Sequence, residues 1–229
     1  MDTRGQSRNK AWKEQRRLRM TSSNFGTICK ATERRNIVAL CENILSPKDL
    51  KSPSLEYGRK YEAVAIEKYE QLYKLTTNEC GLFISTTYPF LAASPDRLEG
   101  DDIVVEVKCP YVARDMDITS VTVPYLESYG DALTLKKNHD YYYQIQGQLL
   151  CTGRSKARLV VFSTRDIKVI DISYDALFVK AMTEKLEAFY MNHFRSAVLN
   201  KAFFRQYYHC SFHIMNDWTT QYPDFRKTE

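Results

Sequence analysis

The chain has 229 residues, of which 44% are hydrophobic and 27% are charged, a balance typical of a globular protein with a sizeable core. No apolar run approaches the ~18 residues that a membrane-spanning helix requires. The six cysteines include no C-x₂-C pair, so neither a zinc ribbon nor an iron–sulfur cluster is indicated. Because no signal peptide is recognisable either, we expect free thiols in an intracellular, reducing compartment, with nucleus and cytoplasm both open.

The net charge of +5 is concentrated at the N-terminus. Residues 1–20 carry seven basic and two acidic side chains, so their excess equals that of the whole chain. A concentrated positive charge attracts polyanions through phosphate contacts and counterion release. Residues 1–15 are therefore predicted to form a basic arm that contacts nucleic acid. The alternative is a solvated tail with no partner.

Helix signals dominate the first third of the chain. Residues 12 to about 30 are predicted to form a basic helix, with Thr21, Ser22 or Ser23 capping a second one. A loop, "SPKDLKSPS", follows at 46–54. The next helix has a stripe of inward positions at helical spacing. These positions are Leu55, Gly58, Glu62, Ala65, Ile66, Tyr69, Leu72 and Tyr73. Glu62 is the exception among them, because an inward carboxylate must be paired, protonated or bound to a metal.

Strand signals follow that helix. Strands are predicted over residues 80–86, 90–94 and 103–108, with "PDRLEGDD" at 95–102 as a turn. Residues 110–136 are predicted to be a loop-rich crossing with one or two short helical pieces. A helix over 139–153 then ends at Gly153, and a hairpin over 157–173 turns at Arg165 and Asp166. A long amphipathic helix is predicted from Tyr174 to about Leu199.

The order of these elements predicts an α/β fold with a small mixed β-sheet flanked by helices. We expect residues 1–229 to form a single domain, with residues 200–229 as a C-terminal extension of unassigned role. The aromatic side chains of that extension are expected to pack on the core; lining a DNA channel and meeting another subunit are the alternatives. His209, Cys210 and His213 lie close together in it, but no fourth metal ligand with sensible spacing accompanies them.

Asp96, Glu106 and Lys108 form the candidate catalytic constellation. Alternation along "IVVEVK" places Glu106 and Lys108 on one face of the strand, and Val105 and Val107 on the other. A hairpin of the intervening length returns Asp96 beside Glu106. Two adjacent carboxylates repel each other, and a hard divalent cation relieves that repulsion. A metal with an acid and a lysine meets the needs of phosphodiester hydrolysis.

These residues resemble the PD-(D/E)XK nuclease signature, with "SPD" followed by "EVK". Three further motifs are similar to the lambda exonuclease branch, also called the YqaJ-like viral recombinase family. They are "WKEQR…RMTSS" near the start, "YGRKYE" at 57–62 and "YYYQIQGQL" at 141–149. The resemblance runs in one order from Trp12 to about Phe194. It implies a restriction-endonuclease-like αβββαβ core and a nuclease active site.

The resemblance implies metal and catalytic roles for particular residues. Asp96 and Glu106 would bind Mg²⁺, helped by the backbone carbonyl of Val107, and Glu62 would bind a metal directly or through water. One or two ions are expected, with Mn²⁺ able to substitute. Lys108 would position the attacking water. Gln144 would brace the site or touch the DNA backbone.

The resemblance also implies contacts with DNA. Arg16 matches the arginine that binds the 5′ phosphate of the digested strand, and Ser23 and Ser94 match small hydroxyls near that phosphate and the scissile one. The crowding of basic residues makes Arg19 a second candidate. Two residues on the helix over 139–153 complete the predicted DNA-binding set: Gln148, which faces the same way as Gln144, and Tyr142.

The activity implied is Mg²⁺-dependent 5′→3′ digestion of linear duplex DNA from its ends, leaving 3′ single-stranded tails for recombination. Double-stranded DNA ends, a single-strand annealing protein and copies of the same chain in a ring-shaped trimer are the implied partners. Two alternatives stay open. One is a structure-selective endonuclease or a ribonuclease on the same core, and the other is a nucleic-acid-binding protein without catalysis.

Overall fold

The computed structural model describes residues 2–48, 51–130 and 132–201. Its N-terminal part is helical but broken. A 3₁₀ turn, Gln6–Arg8, leads into α1 (Lys10–Arg17), whose N-cap Asn9 accepts a hydrogen bond from the Trp12 amide. A two-residue strand, β1 (Met20–Thr21), then separates α1 from α2 (Ser22–Cys29), and α3 (Ile37–Leu45) follows.

The helix α4 (Pro53–Tyr73) is the longest element described. Ser52 caps it by accepting from the Leu55 amide, and Pro53 stands in its first turn, where a missing N–H costs nothing. It ends at Lys74 in the left-handed conformation, with φ of 53°. Ala65, Ile66 and Tyr69 are its buried positions. The two ends of the predicted stripe, Leu55 and Tyr73, are exposed.

Within the described residues, the strands form three sheets. β1 lies parallel to β3 (Leu91–Ala93), which pairs antiparallel with β2 (Phe83–Ile84). The second sheet has the order β4-β5-β8-β9, with bounds Arg97–Glu99, Ile103–Lys108, Lys156–Phe162 and Ile167–Ser173. In it β5 and β8 are parallel, and the outer pairs are antiparallel. A separate hairpin joins β6 (Leu126–Tyr129) to β7 (Ala132–Leu135).

Helices cover both faces of the four-stranded sheet. Val105 and Val107 of β5 pack in one apolar cluster with Ala65 and Tyr69 of α4. Val104 packs on the other side with α5 (Asp140–Thr152). The alternation predicted for β5 is therefore confirmed, and Glu106 faces α5. This mixed sheet between helices confirms the predicted fold class.

Two glycines allow α2 to approach α5 closely. A Cβ at Gly147 would lie 2.5 Å from the Phe25 ring, and one at Gly26 would lie 2.8 Å from the Cα of Asp140. Any larger side chain at either position would push the two helices apart. This approach matters for function because Ser23 stands on α2 and the glutamines that contact Glu106 stand on α5.

The C-terminal helical part begins with α6 (Ala176–Phe189), capped by Asp175, and continues through a π-helical turn at Tyr190–Phe194. The long amphipathic helix predicted for this region is thus confirmed, as are the helix ending at Gly153 and the β8–β9 hairpin. Residues 202–229, with the predicted extension and His209, Cys210 and His213, lie outside the described residues. In the described part, no helix has both the length and the apolar character needed to cross a bilayer.

Three predictions of local structure were wrong. The basic helix predicted from residue 12 to about 30 ends at Arg17, because Met20 and Thr21 pair with the buried strand β3. The second helix predicted to begin near Thr21 is confirmed as α2, with Thr21 at its N-cap position. The predicted turn at 95–102 contains β4, and the crossing at 110–136 contains the β6–β7 hairpin. Both hairpin errors arose because short strands carry too few residues for alternation to show.

The predicted N-terminal arm also requires correction, since its residues pack on the body of the protein. The Thr3 hydroxyl accepts from the Leu82 amide at 2.9 Å. The Gln6 amide donates to the Pro95 carbonyl at 2.7 Å. Residues 2–17 therefore form a folded strap against the loop that leads to Asp96, while most of their charged side chains remain exposed to solvent.

Candidate active site

Asp96 follows the strand β3 and precedes β4, so the hairpin places it next to β5. Arg97 pairs with Val105 across that hairpin, and the Val107 amide donates to Asp96 Oδ2 at 2.7 Å. The carboxylate is thereby fixed beside Glu106, as the spacing in the sequence predicted. This anchoring needs the short strand β4, which holds the two ends of the hairpin in register.

The Glu106 carboxylate is almost completely buried, with 2% exposure, and three donors surround it. Gln144 donates to Oε1 and Gln148 to Oε2, each at 2.6 Å. Lys108 forms an ion pair with Oε1. A buried charge is tolerated only when it is paired and hydrogen-bonded, and these contacts satisfy both conditions.

The two acids and the lysine strongly affect one another. Burial, followed by repulsion from Glu106, raises the pKa of Asp96 well above its usual value. Burial acts to lower the pKa of Lys108, but the carboxylates of Glu106 and Asp96 outweigh it and raise this pKa. Lys108 therefore remains an ammonium, and it is the cation nearest to a crowded pair of acids. A further positive charge would therefore stabilise the two carboxylates at this site.

Glu62 stands on α4 at the border between two cavities that flank this site. One cavity, of about 630 Å³, is lined by Lys108 and by aromatic side chains of the segments after β5 and before α5. The other, of about 480 Å³, is lined by Asp96 and by the N-terminal strap. Arg59 and Glu62 line both. Desolvation and repulsion from Glu106 raise the pKa of Glu62, so the protonation of Glu62 is affected by the charge of Glu106.

Oxygen donors of the kind that hard divalent cations prefer are thus assembled around Asp96 and Glu106. Within the described residues, no three side chains among His, Cys, Asp and Glu converge closely enough to be called a metal cluster. Burial and repulsion from Glu106 nevertheless raise the pKa of Asp96, and a bound cation would relieve that repulsion. The donor chemistry therefore fits such an ion, and Asp96 and Glu106 are the carboxylates that could hold it.

A second polar group lies next to this pair of acids. The Arg16 guanidinium stacks 4.5 Å from the Trp12 ring and donates to Ser23 Oγ at 3.1 Å. Burial lowers the pKa of Arg16, while the nearby Glu106 acts to raise it. Trp12 Nε1 donates to Ser94 Oγ at 2.8 Å. The structure thus brings Arg16, Ser23 and Ser94 to one place, close to the carboxylates.

Three members of the predicted DNA-binding set have other contacts. Tyr142 is 6% exposed and packs in the core, so its ring is not available to DNA. Gln148 is fully buried on Glu106 and serves the carboxylate. Arg19 donates to the Pro89 carbonyl and to Gln15, so it braces the chain around β1. Tyr142 and Gln148 are therefore removed from the predicted DNA contacts. Arg19 contacts Pro89 and Gln15 and not the acids, so its position does not support a DNA contact at this site.

Several residues of the site were missed in the sequence. Trp12 and Gln6 hold the Ser94–Pro95–Asp96 segment, and His139 and Tyr125 line the cavity beside Lys108. A basic stretch around Trp12 gave no indication that its indole would reach Ser94, 82 residues away. His139 did carry a signal, because it is the first residue of the predicted helix, where capping residues stand. Its imidazole indeed caps α5 by accepting from the Tyr141 amide at 3.2 Å.

The mixed sheet, its flanking helices and the acid–acid–lysine group define the PD-(D/E)XK type of fold. The family model of the YqaJ-like viral recombinase domain matches residues 11–155. The chain therefore belongs to the YqaJ-like viral recombinase domain family, as its motifs indicated.

Relatives and solved structures agree with this assignment. An alkaline nuclease of Orgyia pseudotsugata multicapsid polyhedrosis virus is 28% identical over an alignment of 168 residues, and the match covers 64% of this chain. The matched region spans only 38% of that viral protein. The alkaline exonuclease of Laribacter hongkongensis superposes with a TM-score of 0.64 at 21% identity, covering 89% of this chain and 99% of the other. A phage-related exonuclease from Haemophilus somnus gives 0.54 at 13% identity, covering 75% and 92%.

Proposed function

We propose that the protein is a divalent-metal-dependent DNA exonuclease that digests linear duplexes from their ends. The observation that carries the proposal is the pair formed by the half-buried Asp96 and the buried Glu106, with Lys108 on Glu106 and with Arg16 and Ser23 nearby. One group is suited to cutting a phosphodiester, and the other to holding a terminal phosphate. Family membership and the nuclease and exonuclease names of the relatives support the same activity.

Magnesium is the metal that we propose, because every candidate ligand is a hard oxygen. Asp96, Glu106, the Val107 carbonyl and Glu62 would hold one or two ions, and Mn²⁺ is expected to substitute. A bound ion would supply an activated water and neutralise charge on the phosphate. Lys108 would orient that water, since its pKa keeps it protonated and its ammonium already lies on Glu106. Gln144 and Gln148 keep the Glu106 carboxylate facing the site.

The direction of digestion that we propose is 5′→3′, leaving 3′ single-stranded tails. A guanidinium binds phosphate in a forked geometry, and the hydroxyls of Ser23 and Ser94 add small donors beside it. Stacking on Trp12 restricts Arg16 to a few conformations, so little entropy would be lost when phosphate binds. A site that holds one terminal phosphate next to the scissile bond would allow cutting only at an end.

The partners and setting proposed here follow from that activity. Double-stranded DNA ends are the substrate, and single-stranded tails call for an annealing protein that uses them. A ring-shaped homotrimer is proposed on family resemblance. We also propose a reducing intracellular compartment, because all five cysteines of the described residues are unpaired and four of them are buried.

The test is a time course on linear duplex DNA that is labelled at one 5′-phosphorylated end, with and without Mg²⁺. Labelled mononucleotide should appear from the linear DNA, only with metal, while a closed circular duplex stays intact. Nicking of the circle would indicate an endonuclease instead, and cleavage of RNA alone a ribonuclease. Inactivity of a folded protein on every substrate would reject catalysis.

Glu106→Gln is the matched loss-of-function variant for this assay. The substitution removes the charge that Lys108 and a metal would share, so cleavage should fall at least about 100-fold. Glu127→Gln, on the exposed strand β6, should keep full activity. Unchanged cleavage by a folded Glu106→Gln protein would contradict the proposed site, and circular dichroism would establish folding.

A further inference from the structure

The cavity of about 630 Å³ beside Lys108 has an aromatic wall, and we call it the aromatic cavity. Tyr125, His139 and Tyr141 form that wall, and Tyr111 lines the cavity as well. The Tyr125 and Tyr141 rings meet edge to face at 4.9 Å, and the His139 and Tyr141 rings at 4.6 Å. Rings braced in this way present fixed surfaces, which suits the stacking of another flat ring.

Tyr125 has an unused polar group. The side chain is 8% exposed, and its hydroxyl has no hydrogen-bond partner among the described residues. A buried hydroxyl without a partner is costly, so it calls for an explanation such as a water or another bound group. The aromatic cavity is therefore lined by rings, and one of these rings carries a buried hydroxyl that lacks a partner.

Charge in the aromatic cavity is restricted to the end near the metal-binding acids. Lys108, Arg59 and Glu62 line that end, and Arg59 forms no ion pair with any described residue. The volume of the aromatic cavity lies within the range of about 300–1,000 Å³ that is usual for small-molecule sites. A phosphate at the charged end and a base among the rings would match a nucleotide in both polarity and size.

We propose that the aromatic cavity is a nucleobase subsite for the strand being cut, with Tyr125 and the surrounding rings contacting the base next to the scissile phosphate. This inference rests on the proposed function and extends it to a substrate contact away from the phosphates. None of the lining residues belongs to the Arg16, Ser23 and Ser94 group, so the subsite lies apart from the proposed end-binding group. The base in it belongs to the nucleotide on the other side of the scissile bond.

The test compares the binding of dAMP with that of 2-deoxyribose 5-phosphate, which lacks a base, by isothermal titration calorimetry on the full chain. Stacking is expected to make dAMP bind about 5- to 150-fold more tightly. Tyr125→Phe should reduce this preference about 2- to 12-fold, because one hydrogen bond to the base is lost. Tyr111→Leu should also reduce it, by removing a ring from the lining. Tyr129→Phe, on the same hairpin as Tyr125 but 81% exposed, should leave it unchanged.

Thermal melting separates a binding role of Tyr125 from a structural one. Since its hydroxyl has no partner, Tyr125→Phe should not lower the melting temperature. A lowered melting temperature would show that the hydroxyl supports the fold, and it would overturn the inference. No preference for dAMP in the wild type would overturn it too. A preference that survives both Tyr125→Phe and Tyr111→Leu would place the base elsewhere.

The DNA cleavage assay on the same preparation distinguishes the two proposals. Cleavage of linear DNA without any base preference in binding would reject the subsite and keep the nuclease. A base preference that depends on Tyr125, in a protein that cuts no nucleic acid, would reject the nuclease and keep the nucleotide-binding cavity.

Discussion

Gln146 and Gln148 stand two residues apart on α5, and both are fully buried, yet their contacts differ. Gln148 donates to the Glu106 carboxylate at 2.6 Å. Gln146 donates to the Ser173 carbonyl and accepts from the Asp175 amide, so it joins α5 to the turn before α6. The same type of side chain thus has a positioning role at Gln148 and a structural role at Gln146.

Gln148→Leu should impair catalysis more than stability. The substitution removes a donor from Glu106, and losses of about 10- to 100-fold in metal affinity or activity are usual for such partners. Cleavage rates across a Mg²⁺ titration would show a higher metal requirement. Gln146→Leu is the matched control, with a lower melting temperature and an unchanged metal requirement. Equal metal requirements in the two variants would reject the positioning role of Gln148.

Arg16 allows a test of end recognition at a single side chain. Arg16→Gln should slow digestion of 5′-phosphorylated ends at least about 10-fold, because a charge-assisted contact with phosphate is worth about 1.5–3 kcal/mol. Digestion of 5′-hydroxyl ends should change little. Rates on the two kinds of end, measured with otherwise identical duplexes, provide the comparison. Equal slowing on both would remove Arg16 from the phosphate role.

At the scale of elements, prediction from the sequence succeeded where a segment is long and regular. The helix over 139–153 and the hairpin after it agree with α5, β8 and β9 because periodicity and end signals coincide there. The four-residue strands of the β6–β7 hairpin were not predicted, since alternation over so few residues is not distinctive. The strand β1 was not predicted for another reason. Its two residues adopt an extended conformation because they pair with β3, which is a tertiary effect.

The cap of α5 predicts a dependence of stability on pH. His139 Nδ1 accepts from the Tyr141 amide, and only a neutral imidazole can accept. Burial lowers the pKa of His139 below its usual 6.5. The neutral form is therefore favoured by folding, so this contribution is complete above pH ~6.5 and is lost as the pH falls through the lowered value.

His139→Asn should remove that dependence, because asparagine caps helices without titrating in this range. Urea unfolding of the variant and the wild type should agree to within about 1 kcal/mol at pH 7.5. At pH 5 the wild type should be the less stable of the two. His193→Asn, at an exposed position, is the control for general effects of removing a histidine. A constant difference between wild type and His139→Asn at both pH values would contradict the role of the cap.

For the molecule as a whole, the acids were easier to locate from the sequence than their surroundings were. Asp96 and Glu106 could be paired because a hairpin of fixed length joins them, which is local information. The glutamine contacts to Glu106 and the indole contact to Ser94 join positions 38 to 82 residues apart. Such contacts depend on how α1 and α5 pack on the sheet, and a pattern within one segment does not contain that information.

The packed N-terminal strap changes the way in which its charge must be tested. Deleting residues 1–15 would remove Gln6 and Trp12 and with them the support of the Asp96 loop. Lys13 and Arg17 are instead exposed and one turn apart on α1, so they offer charge without a structural contact. Replacing both by glutamine should weaken DNA binding and leave the catalytic groups in place.

The expected signature of Lys13→Gln with Arg17→Gln is a shallower dependence of DNA affinity on salt. Each phosphate contact contributes about 0.9 to the slope of log affinity against log salt, so the double variant should lose up to about 1.8. Binding to a duplex in Ca²⁺ across about 50–200 mM salt would measure it. Lys180→Gln with Lys185→Gln, exposed on α6, removes the same charge from another surface and should retain the wild-type slope. If both double variants behaved alike, net charge would account for the effect, and α1 would not lie against the DNA.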